Sequence, residues 1–199
     1  MCARLTQQPD EIVWRWTADG VYTAKSAYNI QFQGIFTTFD GRTLWKAHAE
    51  GKHKFFTWLL LHSKLLTADK LMIRNWPCNP ICSLCDQEFE TALHLCFNCS
   101  YAKEVWHLVF NWAHLDPSSL LPDCDDIQTW WASVIQQHNS KKQRSVAAIL
   151  MMSAWNIWNE RNRRVFSNKF QQPVQVFGMI KAELLLRVAA CGRPELPST

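Results

Sequence analysis

The segment "CSLCDQEFETALHLCFNC", residues 82–99, holds four cysteines and one histidine. Cys82 and Cys85 are spaced C-x2-C. His94 and Cys99 follow as H-x4-C, with eight residues between the pairs. Two short-spaced pairs of thiolate and imidazole can supply the four corners of a tetrahedral zinc site. C-x2-C suits a tight knuckle in which the amides after the first cysteine face its sulfur, and H-x4-C suits the end of a helical turn. Cys96 and Cys78 compete for the fourth corner. On a helix, Cys96 lies about 200° round from His94, which favours Cys99. The reading is one zinc ion on Cys82, Cys85, His94 and Cys99. The alternatives are a buried thiol cluster with a chance histidine, or a disulfide. Four protein ligands leave no open coordination position, so such a site is structural rather than catalytic.

Outward from the cluster, the chain reads as helices. Pro77 and Pro80 break a helix that Thr67 caps through "ADKLMIRNW", with Leu71 and Arg74 in its later turns. Before it, "KFFTWLLLHSK" is short, apolar and expected to be buried. After the cluster, Ala102, Val105, Trp106, Val109, Trp112 and Ala113 share one helical face. "DPSSLLPDCDD" reads as a loop. Helices are expected over residues 126–138, 142–166 and 174–190. In the second of these, Ala147, Leu150, Met151, Ala154, Trp155 and Trp158 form a stripe. At the N-terminus, Val13, Arg15 and Thr17 alternate with Trp14 and Trp16. Asp19-Gly20 then suggests a tight turn, Val21 to Thr23 a return strand, and Ser26 a helix cap. The expected fold class is mainly α with a short N-terminal β-hairpin, a helical domain organised around a zinc knuckle of three cysteines and one histidine. The expected partition is an N-terminal hairpin and short helix over 1–40, a zinc-binding helical domain over 41–116 and a C-terminal helical segment over 117–199.

With 199 residues and 48% apolar content, the chain can build a substantial core. Eleven tryptophans exceed the ordinary share; most fall in apolar stripes, as packing anchors do. The opening "MCARLTQQPDEI" has no apolar signal region, and the apolar run Phe55 to Leu61 is too short to span a bilayer. The chain therefore reads as a soluble intracellular protein of nucleus or cytoplasm, without a membrane partner. In a reducing compartment, clustered cysteines favour metal over disulfide.

The net charge of +4 is unevenly spread. Residues 141–169 carry seven basic side chains against Glu160 alone, and residues 52–76 carry five against Asp69 alone. These segments nominate Lys52, Lys54, Lys64, Arg74, Arg161, Arg163 and Arg164 for phosphate contact with RNA or DNA, with Trp76 stacking on a base. The plainer alternatives are solvated helix faces and a core tryptophan. The remaining histidines are scattered and pair with no nucleophile in a known spacing. Six glycines form no phosphate-binding loop.

The quoted residues also resemble a family: the zinc-binding domain that follows the reverse transcriptase in plant LINE-type (non-LTR) retrotransposons, with its stand-alone relatives. "DEIVWRWTADGVYTAKSAY" is similar to the family's entrance. "LWKAHAEGKHKFFTWLLLHSKLLTADKL" looks like its Trp-Lys, Lys-x-Lys-Phe-Phe-x-Trp and Leu-x-Thr block. "CSLCDQEFETALHLCFNCSYAKEVW" resembles its core, and "IWNERNRRVF" its later Trp-x-x-Arg-Asn segment. Cys96 departs from the pattern, which often has an apolar residue there. The resemblance implies a non-catalytic, zinc-stabilised, nucleic-acid-binding domain derived from the C-terminal part of a reverse transcriptase polyprotein. Such a domain helps a reverse transcriptase, in cis or in trans, to hold template RNA or target DNA. A polymerase needs a carboxylate pair on a hairpin turn to hold metal ions. The adjacent pair here, Asp125-Asp126, lies before a helix and reads as an N-cap with a first-turn acid. Some relatives continue into an RNase H domain, whose strands and acids are not found up to Thr199. The chain thus reads as a non-enzyme. A protein-interaction scaffold and a decayed retrotransposon fragment are the competing readings.

Overall fold

The computed structural model describes residues 13–31, 41–120 and 126–196, which are helical almost throughout. In chain order the helices are α1 (Ala24–Gln31), α2 (Arg42–Lys46), α3 (Gly51–Leu61), α4 (Ala68–Ile73), α5 (Ser100–Ala113), α6 (Ile127–Gln136), α7 (Ser140–Ser167) and α8 (Pro173–Cys191). A single π-helical turn, His94–Asn98, precedes α5, and a 3-10 turn, Pro117–Leu120, follows it. The chain divides into two compact units, Met1–Asp40 and Gly41–Thr199.

In the first unit, the expected β-hairpin gives way to a closed loop. Trp14 N–H donates to the Gly20 carbonyl at 2.8 Å, and no strand forms among residues 13–31. A type I′ turn needs positive φ at both central residues and a type II′ turn at the first; of Asp19-Gly20 only the second, Gly20, takes it, at 67°. The Asp19 carboxylate instead accepts from Val21 N–H, and the Thr17 hydroxyl donates to the Val21 carbonyl. These local side-chain bonds compete with a strand ladder. An isolated two-stranded hairpin is marginal in water in any case. The Trp14 and Tyr22 rings meet edge to face at 5.0 Å. The helix cap is Thr23 rather than Ser26. Thr23 Oγ1 accepts from Ser26 N–H and Ser26 Oγ accepts from Thr23 N–H, a reciprocal box that starts α1. The remainder of the segment expected over 1–40 lies outside the described residues.

In the second unit, α7 is the centre. Val146–Ala154 is a nine-residue run without a charge, and every residue in it is buried. A helix that is apolar all round must be enclosed all round. Accordingly α2, α3, α5, α6 and α8 all pack against α7, and helices on both sides of residue 116 share one core. The stripe expected from periodicity is buried or half-buried, and Val146, Ile149 and Met152 on other faces are buried with it. Caps fix the helix ends. Asn139 accepts from Lys142 N–H to open α7, and Asn168 closes it with a left-handed backbone. Asp126 accepts from Thr129 N–H and is itself the N-cap that opens α6, where the pair was expected to supply an N-cap followed by a first-turn acid; Asp125 lies outside the described residues. Among the described residues, no helix is long and apolar enough to cross a membrane.

A buried polar junction ties α3 to α8. His53 is fully buried, and its Nε2 donates to a Glu183 carboxylate oxygen at 3.0 Å. Asn156 donates to the other oxygen at 2.8 Å. The His53 bond holds the Glu183 carboxyl down to about 2, against the desolvation that raises it, with Asn156 and Lys52 assisting. A carboxyl depressed in the folded state stabilises above its unfolded value of about 4.3, and loses that contribution as pH falls toward 2. Glu183→Gln should therefore flatten the acid limb of stability between about pH 4.5 and 2. Urea midpoints measured across that range check it; an unchanged acid limb would exclude Glu183 as the linked group.

Candidate metal centre

The knuckle is built by a short reversal of chain. Ile81 and Phe89 form an isolated antiparallel bridge, Glu90 N–H donates to the Pro80 carbonyl, and Cys82 N–H donates to the Glu88 carbonyl. Inside this reversal Asp86 N–H returns to the Cys82 carbonyl at 2.8 Å, and Asp86 takes a left-handed φ of 54°. The turn folds Cys85 back beside Cys82. The amides of Leu84 and Cys85 hydrogen-bond the Cys82 sulfur and favour its thiolate.

The other two donors come from the start of α5. On an α-helix, His94 and Cys99 would project about 140° apart. The π-turn removes that offset: Cys99 N–H closes an i→i+5 bond to the His94 carbonyl at 2.7 Å. Thr91 Oγ1 accepts from His94 N–H and starts the turn. Cys99 is then the N-cap of α5, and the amides of Tyr101 and Ala102 in the first helical turn hydrogen-bond its sulfur. A helix N-terminus favours a thiolate, so both chain segments bring their cysteines to positions suited to anionic sulfur.

Cys82, Cys85, His94 and Cys99 present donor atoms that all lie within 4.8 Å of one another. The Cys82 and Cys99 sulfurs are 3.9 Å apart, and the Cys85 sulfur is 3.3 Å from His94 Nε2. With Zn–S near 2.3 Å and Zn–N near 2.0 Å, the edges of a tetrahedral site are roughly 3.5–3.8 Å. The donor set therefore fits a four-coordinate cation in number, type and spacing. The hydrogen bond from Cys82 to Cys99 pushes Cys82 up to about 12, aided by burial, and lowers Cys99. Cys96 lies outside this set. Its side chain is fully buried, burial pushes its thiol up, and its carbonyl accepts from Trp106 Nε1 at 2.6 Å. Trp106, Phe97 and Trp130 form an aromatic cluster beside it, with ring centroids 4.4 to 6.0 Å apart.

Two arginines assigned to phosphate by sequence clamp this knuckle instead. Arg161 is 5% exposed and makes a bidentate pair with buried Glu90, at 3.0 and 2.6 Å. Glu90 Oε1 also accepts from Ala68 N–H at 2.8 Å, so it caps α4 from 22 residues away; Thr67, the expected cap, has no side-chain capping bond. Arg164 Nη1 donates to the carbonyls of Ser83 and Leu84, the two residues between the paired cysteines. Buried Glu160 holds both Arg164, at 2.9 Å, and Arg163, and accepts from Gln171 N–H. These partners remove Arg161 and Arg164 from the expected phosphate-binding set and leave Arg163 half-buried against Glu160.

The other nominated residues divide. Lys52 pairs with Glu50 and Glu183, and Lys54 donates to the Trp45 carbonyl. Lys64 is exposed over the Trp58 ring at 5.2 Å, and exposed Arg74 forms no ion pair among the described residues. Trp76 is 64% exposed, which rules out the core alternative for it. Sequence reading missed Glu90, Glu160 and Ser83. The only local hint of Glu90 is an acidic residue standing in a knuckle with few other buried positions.

Residues 22–106 match the model of a family described as zinc-binding in reverse transcriptase. A protein of Arabidopsis thaliana, provisionally named a ribonuclease H protein, is 23% identical over 108 residues. That alignment covers 51% of this chain and 17% of the relative's length. No solved structure matches.

Proposed function

We propose, from the premise that residues 22–106 belong to the reverse-transcriptase zinc-binding family, that this chain is a non-catalytic nucleic-acid-binding domain stabilised by one zinc ion. The observation that carries the reading is the convergence of Cys82, Cys85, His94 and Cys99 within 4.8 Å, on a knuckle whose amides face the sulfurs. Zinc would be held by those four side chains and would supply a cross-link between the knuckle and α5, with no position left for a substrate. The relationship to a plant protein named for ribonuclease H supports derivation from a LINE-type reverse transcriptase polyprotein. In that setting the domain would help a reverse transcriptase hold template RNA or target DNA.

Phosphate contact falls to the basic side chains that remain free, Lys64 and Arg74, rather than to the clamped arginines. Each phosphate neutralised contributes about 0.7–0.9 to the slope of log affinity against log salt. Lys64→Ala with Arg74→Ala should flatten that slope by about one to two units, and weaken unrelated sequences equally, because phosphate contacts carry no base information. A salt titration of labelled 20-nucleotide strands and duplexes with the metal-loaded chain reads this. Binding indifferent to salt and to both substitutions would favour the protein-interaction scaffold instead.

A further inference from the structure

Beside the knuckle, on the face of α7 that carries Arg161 and Arg164, lies a groove of about 710 Å³. Its size is that of a small-molecule site. Its walls join the two basic segments of the sequence, since Trp76 comes from one and Phe166 from the other. Phe166 is 76% exposed, and Phe170, also in the wall, is 61% exposed. The Arg164 guanidinium lies 5.3 Å from the Phe170 ring centre and also lines the groove. Aromatic and guanidinium faces of this kind are what flat π-systems stack on.

The lining of the groove is mainly apolar, with Leu66, Leu71, Ile81 and Val165 beside the rings, and polar side chains are interspersed. Asn79, Ser83 and Asn162 supply its polar groups. The side-chain amides of Asn79 and Asn162 can donate to the ring nitrogens and carbonyl oxygens of a heteroaromatic edge. Two free cations flank the groove-lining residues in sequence. Arg74 precedes Trp76 by two positions and Lys169 precedes Phe170 by one; both are exposed, and neither forms an ion pair among the described residues.

We infer that this groove takes an unstacked base of a single-stranded nucleic acid, with Trp76 and Phe166 as stacking faces, Asn79 and Asn162 meeting the base edge, and Arg74 and Lys169 receiving the flanking phosphates. This inference rests on the nucleic-acid reading above. It adds that the strand is recognised unpaired, and where its base goes. Free phosphate or a duplex would use the cations without the groove.

The test uses the metal-loaded full chain and fluorescence anisotropy at low salt. Its probes are a 20-nucleotide single strand and a backbone of the same length lacking bases. The base-bearing strand should bind on the order of ten-fold tighter, in line with the cost of removing a stacking aromatic. Trp76→Ala and Phe166→Ala should abolish that ratio and leave abasic binding unchanged, while Trp76→Phe should keep most of it. Both rings are exposed, so metal content and the thermal melt should match the parent and separate lost stacking from lost folding. Equal binding of the two strands by the parent overturns the groove assignment and leaves the nucleic-acid reading standing. Binding of neither strand overturns both. In that event, uptake of an apolar dye that Trp76→Ala abolishes would mark the groove as a protein-docking face.

Discussion

Removing the metal should unfold the knuckle and the start of α5 together. Cys82 and Cys85 belong to a turn whose bridge, Ile81 to Phe89, is isolated, and Phe89 in that turn is exposed. Little apolar burial holds this segment without a central ion. Structural zinc in small modules contributes on the order of 10–16 kcal/mol of apparent binding energy at neutral pH, and that energy is folding energy. Cys85→Ser, His94→Ala and Cys99→Ala should each abolish stoichiometric zinc in native mass spectra. They should also lower the melting temperature as far as chelation does. Cys96→Ala should retain the metal, since its thiol lies outside the donor set. Retention of zinc by Cys99→Ala together with its loss from Cys96→Ala would hand the fourth corner to Cys96. Native spectra of the parent without any bound metal would refute the site altogether.

Arg161→Ala should be nearly as damaging, for a different reason. Glu90 is 2% exposed and its carboxylate is shared between Arg161 and the Ala68 amide. Truncating the arginine leaves a buried negative charge without its counter-ion, at a cost of about 3–5 kcal/mol. Replacing both partners with Glu90→Gln and Arg161→Met should recover part of that loss, because no buried charge is then orphaned. The coupling between the two sites, read from a double-mutant cycle of denaturant midpoints, should be well above 1 kcal/mol. Purely additive effects would show that Arg161 acts independently of Glu90. The contrast with Lys64→Ala and Arg74→Ala is informative, since those exposed substitutions should change salt dependence and leave stability within about 0.5 kcal/mol.

The metal donors were readable because ligand chemistry is local. Two pairs at fixed spacing need only a turn and a helix start to come together. Even so, periodicity placed His94 and Cys99 at the end of an ordinary helical turn. The π-turn that aligns them is set by the cap from Thr91 and the i→i+5 closure. The N-terminal hairpin failed because its turn and alternation signals are weak when side chains such as Asp19 and Thr17 can bond the same backbone. Neither Ser26 nor Thr67 is the cap that spacing alone suggested. Thr23 caps α1 from within the loop, and Glu90 caps α4 from 22 residues away.

By itself the sequence determined which segments are helical and which four side chains can hold a cation, because helix periodicity, capping and ligand spacing all act over a few residues. Only the tertiary structure decided what the charges do. Arg161 and Glu90 lie 71 residues apart in the chain, and Arg164 reaches carbonyls about 80 residues away. A run of basic residues looks the same whether it faces water or closes on a buried carboxylate. The burial of Val146–Ala154 encloses α7, and its continuation carries Arg161 and Arg164 against the knuckle. Folding thus turns two of the basic side chains inward as clamps and brings Trp76 and Phe166 to one groove, because desolvation makes a buried charge seek its partner wherever the packing places it.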